Sequence, residues 1–365
     1  MPFWLLIMLD GDHTVNRRSL LLTAAPLIGA SMLGGRPASA QQASITGAGA
    51  TFPNPVYQKW AEAARSSANI SLNYQSVGSG AGQAQIRNRT VDFGASDAPM
   101  SSDALRDANL MQFPTVMGSL VAIVNIEGVT DNQMKLTGEL LADIYLGKIT
   151  KWNDPKIVEL NPSLRLPSTA IAPVYRADGS GTTYVWVSYL AAVSPEWKSK
   201  VGVGTSVRFP SGTGARGNEG VAGTVRNVRG AIGYVENAYA TQNKLVSTQI
   251  RNKAGNFVQP THEAFLAAAQ NADWTAPDFA ANLVDTQGAT SWPIVSPTFI
   301  IVPKNPTDAD KARNVMRFFD WAYKNGDQLA QDLEYIPLPA AVKDAVRTAW
   351  AANVTVNGQP VWTGR

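Results

Sequence analysis

The sequence predicts a mostly parallel α/β protein built as two lobes. Strand-like and helix-like segments alternate along the chain, and several strands pass into helices through glycine-rich turns. This order is typical of a parallel sheet covered by helices. Two long apolar segments, residues 113–126 and 292–303, are candidate strands that cross between the lobes. A chain of 365 residues is long enough for two such domains, and we expect the first lobe to contain both ends of the mature chain.

Before the first crossing strand, each predicted strand enters its helix through a turn of glycine, serine or proline. Asn54 followed by Pro55 is typical of a helix cap and first helical position. The predicted elements are a strand from Ile45, a helix from this cap to Ser67, a strand at 70–76, a helix at about 83–88, a brief strand after Val91 that ends in Ser96-Asp97, and a helix capped by Ser102.

The rest of the chain repeats the alternation. Helical periodicity is clearest at 310–324, where Val315, Phe318, Phe319 and Ala322 share one face. The predicted elements are a helix at 137–145, a strand at 171–176, a helix at 183–192, a glycine-rich loop at 212–220, a helix ending at Asn227, a strand at 231–236, a hairpin of 245–250 and 256–258, and helices at 310–324 and 340–351.

The turn between the strand at 171–176 and the following helix contains an arginine, a carboxylate, two glycines and several hydroxyls, in the order RADGSGTT. Backbone N–H groups at a helix start are unpaired and carry partial positive charge, and the planar guanidinium of Arg176 adds five donors. Such a turn can bind a small oxyanion. The alternative is an ordinary surface turn in which Ser180 serves only as the helix N-cap.

Three other polar residues stand in comparable turns. Thr51 and Ser79 each lie beside a glycine or a helix start, and Asp97 offers one acceptor. Capping alone explains any single hydroxyl of this kind. Several of them in one chain, together with Arg176, favour an oxyanion site.

Catalytic chemistry is poorly represented. His262 is the single imidazole after residue 40, and a solvated or capping role at a helix start is favoured for it. The Gly179-Ser180-Gly181 run lacks the glycine that a nucleophile elbow requires two residues before its serine. No cysteine is present, and no His/Asp/Glu group has metal-ligand spacing. The sequence therefore predicts a protein without enzyme activity, metal or cofactor.

Nucleotide and nucleic-acid binding are also disfavoured. Gly212, Gly214 and Gly217 match the dinucleotide fingerprint, with Glu236 about 20 residues further on. The strand that should precede this loop is short and is closed by Pro210, so a flexible glycine loop before a helix is preferred. The formal net charge of +3 is small and scattered, which argues against nucleic acid as a partner.

The first 40 residues predict a cleaved export signal. Arg17 and Arg18 precede an apolar run at 20–33, and Ala38-Ser39-Ala40 is a small-residue cleavage motif before Gln41. The twin arginines permit export of the folded protein as an alternative to the general route. A membrane anchor is the competing interpretation, but the apolar run is too short to cross a bilayer. Without cysteine we expect no lipid anchor, so the mature protein should be free in its compartment.

Longer motifs carry more specific information and together cover essentially all of the mature chain. They are GAGATFP at 47–53, NYQSVGS at 73–79, VDFGASDAP at 91–99, IYLGKI at 144–149, RADGSGT at 176–182, GAIGYVE at 230–236 and FFDWAY at 318–323. In these motifs the sequence closely resembles the periplasmic phosphate-binding proteins of high-affinity phosphate ABC transporters. It departs from one pattern of that family after Ser79, where Gly80-Ala81 replaces a Ser-Gly pair.

The resemblance implies a two-lobed type II periplasmic-binding fold with a hinge and a ligand cleft between the lobes. It assigns residues 41–123 and 297–365 to the first lobe and residues 124–296 to the second. It also implies that Asp178 pairs with the site arginine and holds it in place. The implied phosphate ligands are Thr51, Phe52 through its backbone N–H, Ser79, Asp97, Arg176, Ser180, Gly181 and Thr182.

The implied function is capture of inorganic phosphate in the periplasm and its delivery to the membrane permease and ATPase subunits of a phosphate ABC transporter. The resemblance implies a monomer without catalytic activity or cofactor. Two alternatives stay open. One is a binding protein for another oxyanion, such as sulfate or molybdate, and the other is a secreted phosphatase that uses the same anion cradle.

Overall fold

The computed structural model describes residues 42–364, so the predicted export signal lies outside the described residues. The strands of this part are β1 (Ala43–Gly49), β2 (Ile70–Ser76), β3 (Phe93–Ser96), β4 (Leu110–Val124), β5 (Lys135–Leu136), β6 (Ala172–Arg176), β7 (Thr213–Ala215), β8 (Ala231–Glu236), β9 (Val246–Ser247), β10 (Gln249–Arg251), β11 (Phe257–Val258), β12 (Val295–Pro303), β13 (Thr355–Val356) and β14 (Gln359–Pro360).

The helices include the predicted ones and four short ones of five or six residues that were not predicted. They are α1 (Asn54–Ser67), α2 (Ser79–Arg87), α3 (Ser102–Asp107), α4 (Gly138–Tyr145), α5 (Pro155–Leu160), α6 (Gly181–Val193), α7 (Pro195–Lys200), α8 (Gly217–Asn227), α9 (Asn237–Gln242), α10 (His262–Ala269), α11 (Ala309–Asn325), α12 (Asp327–Gln331) and α13 (Ala340–Asn353). No helix within residues 42–364 has the length and apolarity that a membrane crossing requires.

One sheet runs through the molecule in the strand order β2-β1-β3-β12-β4-β8-β6-β7, with β9 also paired to β4. Residues 110–119 of β4 pair with β12, whereas residues 120–124 pair with β8 and β9. The strand β4 therefore belongs to both lobes. We call first lobe the part built on β1–β3, β12 and residues 110–119, and second lobe the part built on β6–β8 and residues 120–124.

The prediction of a mostly parallel sheet holds only at the two outer parts of the sheet. β1 is parallel to β2 and β3, and β6 is parallel to β7 and β8. The central pairs are antiparallel, because the chain leaves the first lobe along β4 and returns along the neighbouring β12. The predicted hairpin forms only between β10 and β11, since residues 246–247 pair with β4 instead.

Aromatic rings pack against each other in both lobes, within one continuous hydrophobic core. In the first lobe, Phe319 of α11 meets the rings of Tyr57, Phe93 and Phe113 at centroid distances of 5.3–6.0 Å. The predicted inward face of α11 is fully buried. In the second lobe, Trp186 of α6 stacks on Tyr234 of β8 at 4.9 Å. The first group of rings includes Tyr57 of α1, the helix that follows Thr51 and Phe52, and the second includes Trp186 of α6, which begins at Gly181.

Several helix starts differ from the predictions, among them that of α6, which begins at Gly181 and not at Thr183. α1 has Pro53 rather than Asn54 as its N-cap, and α3 is capped by Ser101, whose hydroxyl accepts from Ala104 N at 3.2 Å. α2 begins at Ser79, four residues earlier than predicted. The glycines predict a turn, but Gly82 packs against β1 inside the helix, where a Cβ would lie 2.5 Å from Gly49 Cα.

Candidate anion-binding site

The predicted site residues lie at the carboxyl ends of strands from both lobes. Thr51 and Phe52 follow β1, Ser79 follows β2 and Asp97 follows β3, while Arg176 is the last residue of β6. Within each parallel part of the sheet the carboxyl ends share one edge, and ligand crevices form outside such an edge. β6 runs opposite to β1–β3, so Arg176 meets the other residues because the second lobe faces the first. The predicted ligands are all buried: each is at most 5% exposed, and Gly181, which has no side chain, is buried as well.

The start of α6 brings the second lobe against the first. A Cβ built on Gly181 would lie 2.5 Å from Ser79 Oγ and 2.6 Å from Asp97 Oδ2. Such distances are far below van der Waals contact, so only glycine permits this approach. Gly80 N–H also donates to Gly179 O at 2.9 Å, and a Cβ on Gly80 would lie 3.1 Å from Gly179 Cα. The serine that Gly80 replaces relative to the family pattern would therefore crowd this contact.

Arg176 is held by Asp178 in a two-point ion pair. Nε donates to Asp178 Oδ1 at 2.8 Å and Nη2 donates to Oδ2 at 2.5 Å, and the guanidinium side chain is only 1% exposed. Burial alone would raise the pKa of Asp178, but the hydrogen bonds and charge of Arg176, with the N–H of Gly217, hold that pKa below its ordinary value. The remaining nitrogen, Nη1, is buried and finds no partner among residues 42–364.

Asp97 presents a buried acceptor to the same space. Its Oδ1 accepts from Thr298 Oγ1 at 2.8 Å, whereas Oδ2 is buried without a hydrogen-bond partner in the described part of the chain. Burial raises the pKa of Asp97 to about 7, although Thr298, the charge of Arg176 and the hydroxyls of Ser79 and Thr182 act in the opposite direction.

The four hydroxyls share one feature, which is that each accepts a hydrogen bond from an amide. Ser79 Oγ accepts from Asp97 N at 3.3 Å, and Ser180 Oγ accepts from Thr183 N at 3.0 Å as the N-cap of α6. Thr51 Oγ1 and Thr182 Oγ1 accept from the Asn218 side chain at 2.6 and 3.2 Å. A hydroxyl has one proton and two lone pairs, so each of these groups keeps its proton for another acceptor.

Four residues around the site were not predicted from the sequence. Asn218 stands in a glycine-rich segment that predicts only a loop, and Thr298 lies inside the apolar run of β12. Two tyrosines also connect the lobes. Tyr239 OH donates to Thr51 O at 2.6 Å, and Tyr335 OH lies 2.6 Å from Phe52 O and 2.8 Å from Glu236 Oε2. No sequence signal marks these four residues, because their partners are distant in the chain.

The competing chemistries fit the structure less well. The hydroxyl of Ser180 caps α6, and His262 Nδ1 lies 3.7 Å from Glu334 Oε2 at the start of α10. In the glycine pattern at 212–217, β7 forms a ladder with β6 and Gly217 N–H donates to Asp178. That segment is therefore a strand and a helix start, not the predicted flexible loop. No group of three or more potential metal ligands occurs between residues 42 and 364.

Similarity to known proteins places the chain in a family. Residues 34–325 match the PBP superfamily domain. Over 324 residues the chain is 48% identical to Phosphate-binding protein PstS of Pasteurella multocida, a match that covers 88% of this chain and 94% of that protein. The chain belongs to the phosphate-binding protein family. It is also 47% identical to Phosphate-binding protein PstS of Xylella fastidiosa over 320 residues, covering 87% and 88% of the two chains.

Solved structures show that the chain shares its fold with proteins named as phosphate-binding proteins. The ancestral soluble variant of the Human Phosphate Binding Protein superposes with a TM-score of 0.69 at 22% identity, covering 88% of this chain and 99% of that chain. The phosphate-binding protein of Stenotrophomonas maltophilia gives a TM-score of 0.66 at 22% identity, covering 88% and 98%. The predicted fold class, a two-lobed α/β periplasmic-binding fold, is confirmed.

Proposed function

We propose that this phosphate-binding protein captures inorganic phosphate outside the cytoplasm and delivers it to the permease and ATPase subunits of an ABC transporter. One observation carries the proposal. Arg176 Nη1 and Asp97 Oδ2 are a charged donor and an acceptor, both buried in one site and both without partners in the described residues. A ligand that satisfies both atoms is an anion that still holds a proton. Hydrogen phosphate meets this requirement at neutral pH.

The ligand set is the one that the motifs imply. On the first lobe, the oxyanion would be bound by Thr51, the N–H of Phe52, Ser79 and Asp97. The second lobe would supply the others, which are Arg176, Ser180, Gly181 and Thr182, with Asp178 orienting the guanidinium. Their convergence on the start of α6 supports this assignment.

Phosphate would accordingly close the cleft between the two lobes, which the sequence predicts as residues 41–123 with 297–365 and residues 124–296. The contacts of Gly80 with Gly179 and of Thr51 with Asn218 and Tyr239 belong to such a closed state. Opening would break these contacts, and a ligand bound by both lobes would favour the closed state by its differential affinity.

Thermal unfolding tests the proposal directly. Phosphate at about 1,000 times its dissociation constant should stabilise the protein by about 4 kcal/mol, because a ligand that binds only the folded state shifts unfolding by mass action. Sodium chloride of matched ionic strength is the control and should leave the melting temperature nearly unchanged. Equal shifts with the two salts would contradict phosphate binding.

A phosphatase is the alternative of a different class, and we propose that the chain is not one. The Ser180 hydroxyl accepts from Thr183 N, and no base is hydrogen-bonded to it among the described residues. Incubation with a chromogenic phosphate ester separates the two functions. Turnover at enzymatic rates would overturn the assignment as a binding protein, whereas binding without turnover agrees with it.

Substitution of Gly181 probes the contact between the lobes. The Gly181→Ala methyl would overlap Ser79 Oγ and Asp97 Oδ2, and overpacking of this kind costs about 1–3 kcal/mol. Phosphate binding should weaken by about 5- to 150-fold. Gly223→Ala in α8 is the matched control, since its Cβ would meet nothing within 4 Å. Equal phosphate affinities of the two variants in calorimetric titrations would place Gly181 outside the site.

The protein would act as a periplasmic monomer after loss of residues 1–40. Protein recovered from the periplasm is expected to begin at Gln41, because Ala38-Ser39-Ala40 precedes that residue. Its intact mass measures the cleavage position. A recovered product that still carries residues 20–33 would mean that this apolar run is an anchor.

A further inference from the structure

Asn218 lies at the start of α8, fully buried between the two lobes. Its Oδ1 accepts from the backbone N–H of Glu236 at 3.0 Å. A backbone N–H can only donate, so the amide oxygen must face Glu236. The Nδ2 group, which can only donate, therefore faces the opposite way, toward the anion-binding site.

The two protons of Nδ2 have two acceptors, one from each lobe. Nδ2 donates to Thr51 Oγ1 at 2.6 Å and to Thr182 Oγ1 at 3.2 Å. The backbone N–H of Asn218 donates to Thr51 Oγ1 as well, at 3.2 Å. Both lone pairs of the Thr51 hydroxyl are thus engaged, and its single proton is the only hydrogen-bonding capacity that it has left.

The hydroxyls of the two serines in the site also accept hydrogen bonds, but from backbone amides. Ser79 Oγ accepts from Asp97 N, and Ser180 Oγ accepts from Thr183 N. Each serine hydroxyl thus keeps its proton for a further acceptor, and for Ser79 the Asp97 carboxylate is one such acceptor. The two threonines depend on one side chain for the same effect, and that side chain spans the lobes.

We propose that Asn218 is a positioning residue that makes the Thr51 and Thr182 hydroxyls donors toward the bound oxyanion and couples this orientation to closure of the lobes. The inference rests on the proposed function, binding of phosphate at this site. Asn218 does not touch the anion in this scheme. It acts only through the two hydroxyls, and this dependence can be measured.

A double-mutant cycle tests it, with phosphate affinity measured by calorimetric titration. Asn218→Ala alone should weaken phosphate binding about 10- to 100-fold, because two hydroxyls lose their fixed orientation toward a charged acceptor. In a Thr51→Val/Thr182→Val background, the same substitution should change the affinity by less than about threefold, since residues that act through one another are not additive. Melting temperatures without phosphate serve as the control for folding.

Full additivity, with the same fold loss in both backgrounds, would overturn the inference, because a merely structural role does not require the threonine hydroxyls. If Asn218→Ala does not fold, Asn218→Asp takes its place in the cycle. It keeps the shape and the contact with Glu236 N–H but cannot donate when ionised. The added charge of aspartate weakens phosphate binding equally in both backgrounds. The part of the affinity loss that depends on the threonine hydroxyls is therefore the difference between the losses in the two backgrounds. Equal losses in both backgrounds would overturn the inference. Absence of phosphate binding by the unmodified protein would instead contradict the proposed function itself.

Discussion

Arg176→Ala is expected to weaken phosphate binding by about 2–5 kcal/mol, which is well over tenfold in affinity. The guanidinium is 1% exposed, and its Nη1 has no partner in the described part of the protein. Its removal deletes a desolvated positive charge and a planar donor group that water cannot replace. Calorimetric titration with phosphate at neutral pH measures the loss.

Two further variants show whether the effect arises at the guanidinium. Asp178→Asn should weaken binding less than Arg176→Ala, because it loosens the arginine without deleting its charge. Arg106→Ala is the matched control, since that side chain is 71% exposed and pairs with Asp103 on the surface. An unchanged phosphate affinity of the Arg176→Ala protein would remove Arg176 from the site.

Asp97→Asn is expected to abolish much of the preference for phosphate over sulfate. Both anions are tetrahedral and of similar size, but at neutral pH only phosphate holds a proton that Asp97 Oδ2 can accept. A site that depends on such a bond can reject the analogue lacking it by about 10⁴-fold. Thr298 donates to Oδ1, so the amide nitrogen of the variant would take the place of Oδ2 and donate to sulfate.

The preference should also depend on pH, because burial raises the pKa of Asp97 to about 7. Above that value the carboxylate is ionised and rejects sulfate. Below it, the protonated acid can donate to sulfate, so the ratio of phosphate to sulfate affinity should fall as pH falls through 7. In the Asp97→Asn protein this contribution to the pH dependence of the phosphate-to-sulfate affinity ratio should be absent.

The same raised pKa affects folding in the absence of the anion. Between its ordinary pKa and about 7, Asp97 holds a proton in the folded state but not in the unfolded state. Its contribution to stability therefore decreases as pH rises across that window. Asp103→Asn, at a carboxylate that is 77% exposed, is the control for both measurements. If the anion preference of the Asp97→Asn protein equals that of the unmodified protein, Asp97 is not the selector.

Much of the fold could be predicted, since strand and helix periodicities are local properties of the chain. β2, β8 and the buried face of α11 have the predicted positions. The start of α2 could not be predicted, because glycine is unfavourable in a helix unless packing requires it. Here a Cβ on Gly82 would lie 2.5 Å from Gly49 Cα. The antiparallel centre of the sheet also depends on how the chain returns between lobes, which no local pattern encodes.

The candidate site also contains residues that the sequence predicts and residues that it does not. Residues that lie in specific motifs, such as Arg176 and Asp97, are found from the sequence, because their side chains and neighbouring glycines stand in short characteristic runs. Asn218 and Thr298 cannot be found in this way, because their partners in the site, Thr51 and Asp97, lie far away in the chain. Their roles follow only from the geometry that folding creates.

Calorimetric titration of the unmodified protein with phosphate, sulfate, arsenate and molybdate tests the central proposal most directly. Phosphate should bind tightly, and arsenate, which also keeps a proton at neutral pH, should bind measurably at the same site. Sulfate and molybdate, which offer Asp97 no proton, should bind far more weakly at pH above 7. Sulfate or molybdate affinity comparable to that for phosphate would contradict a phosphate-selective site built around Arg176 and Asp97.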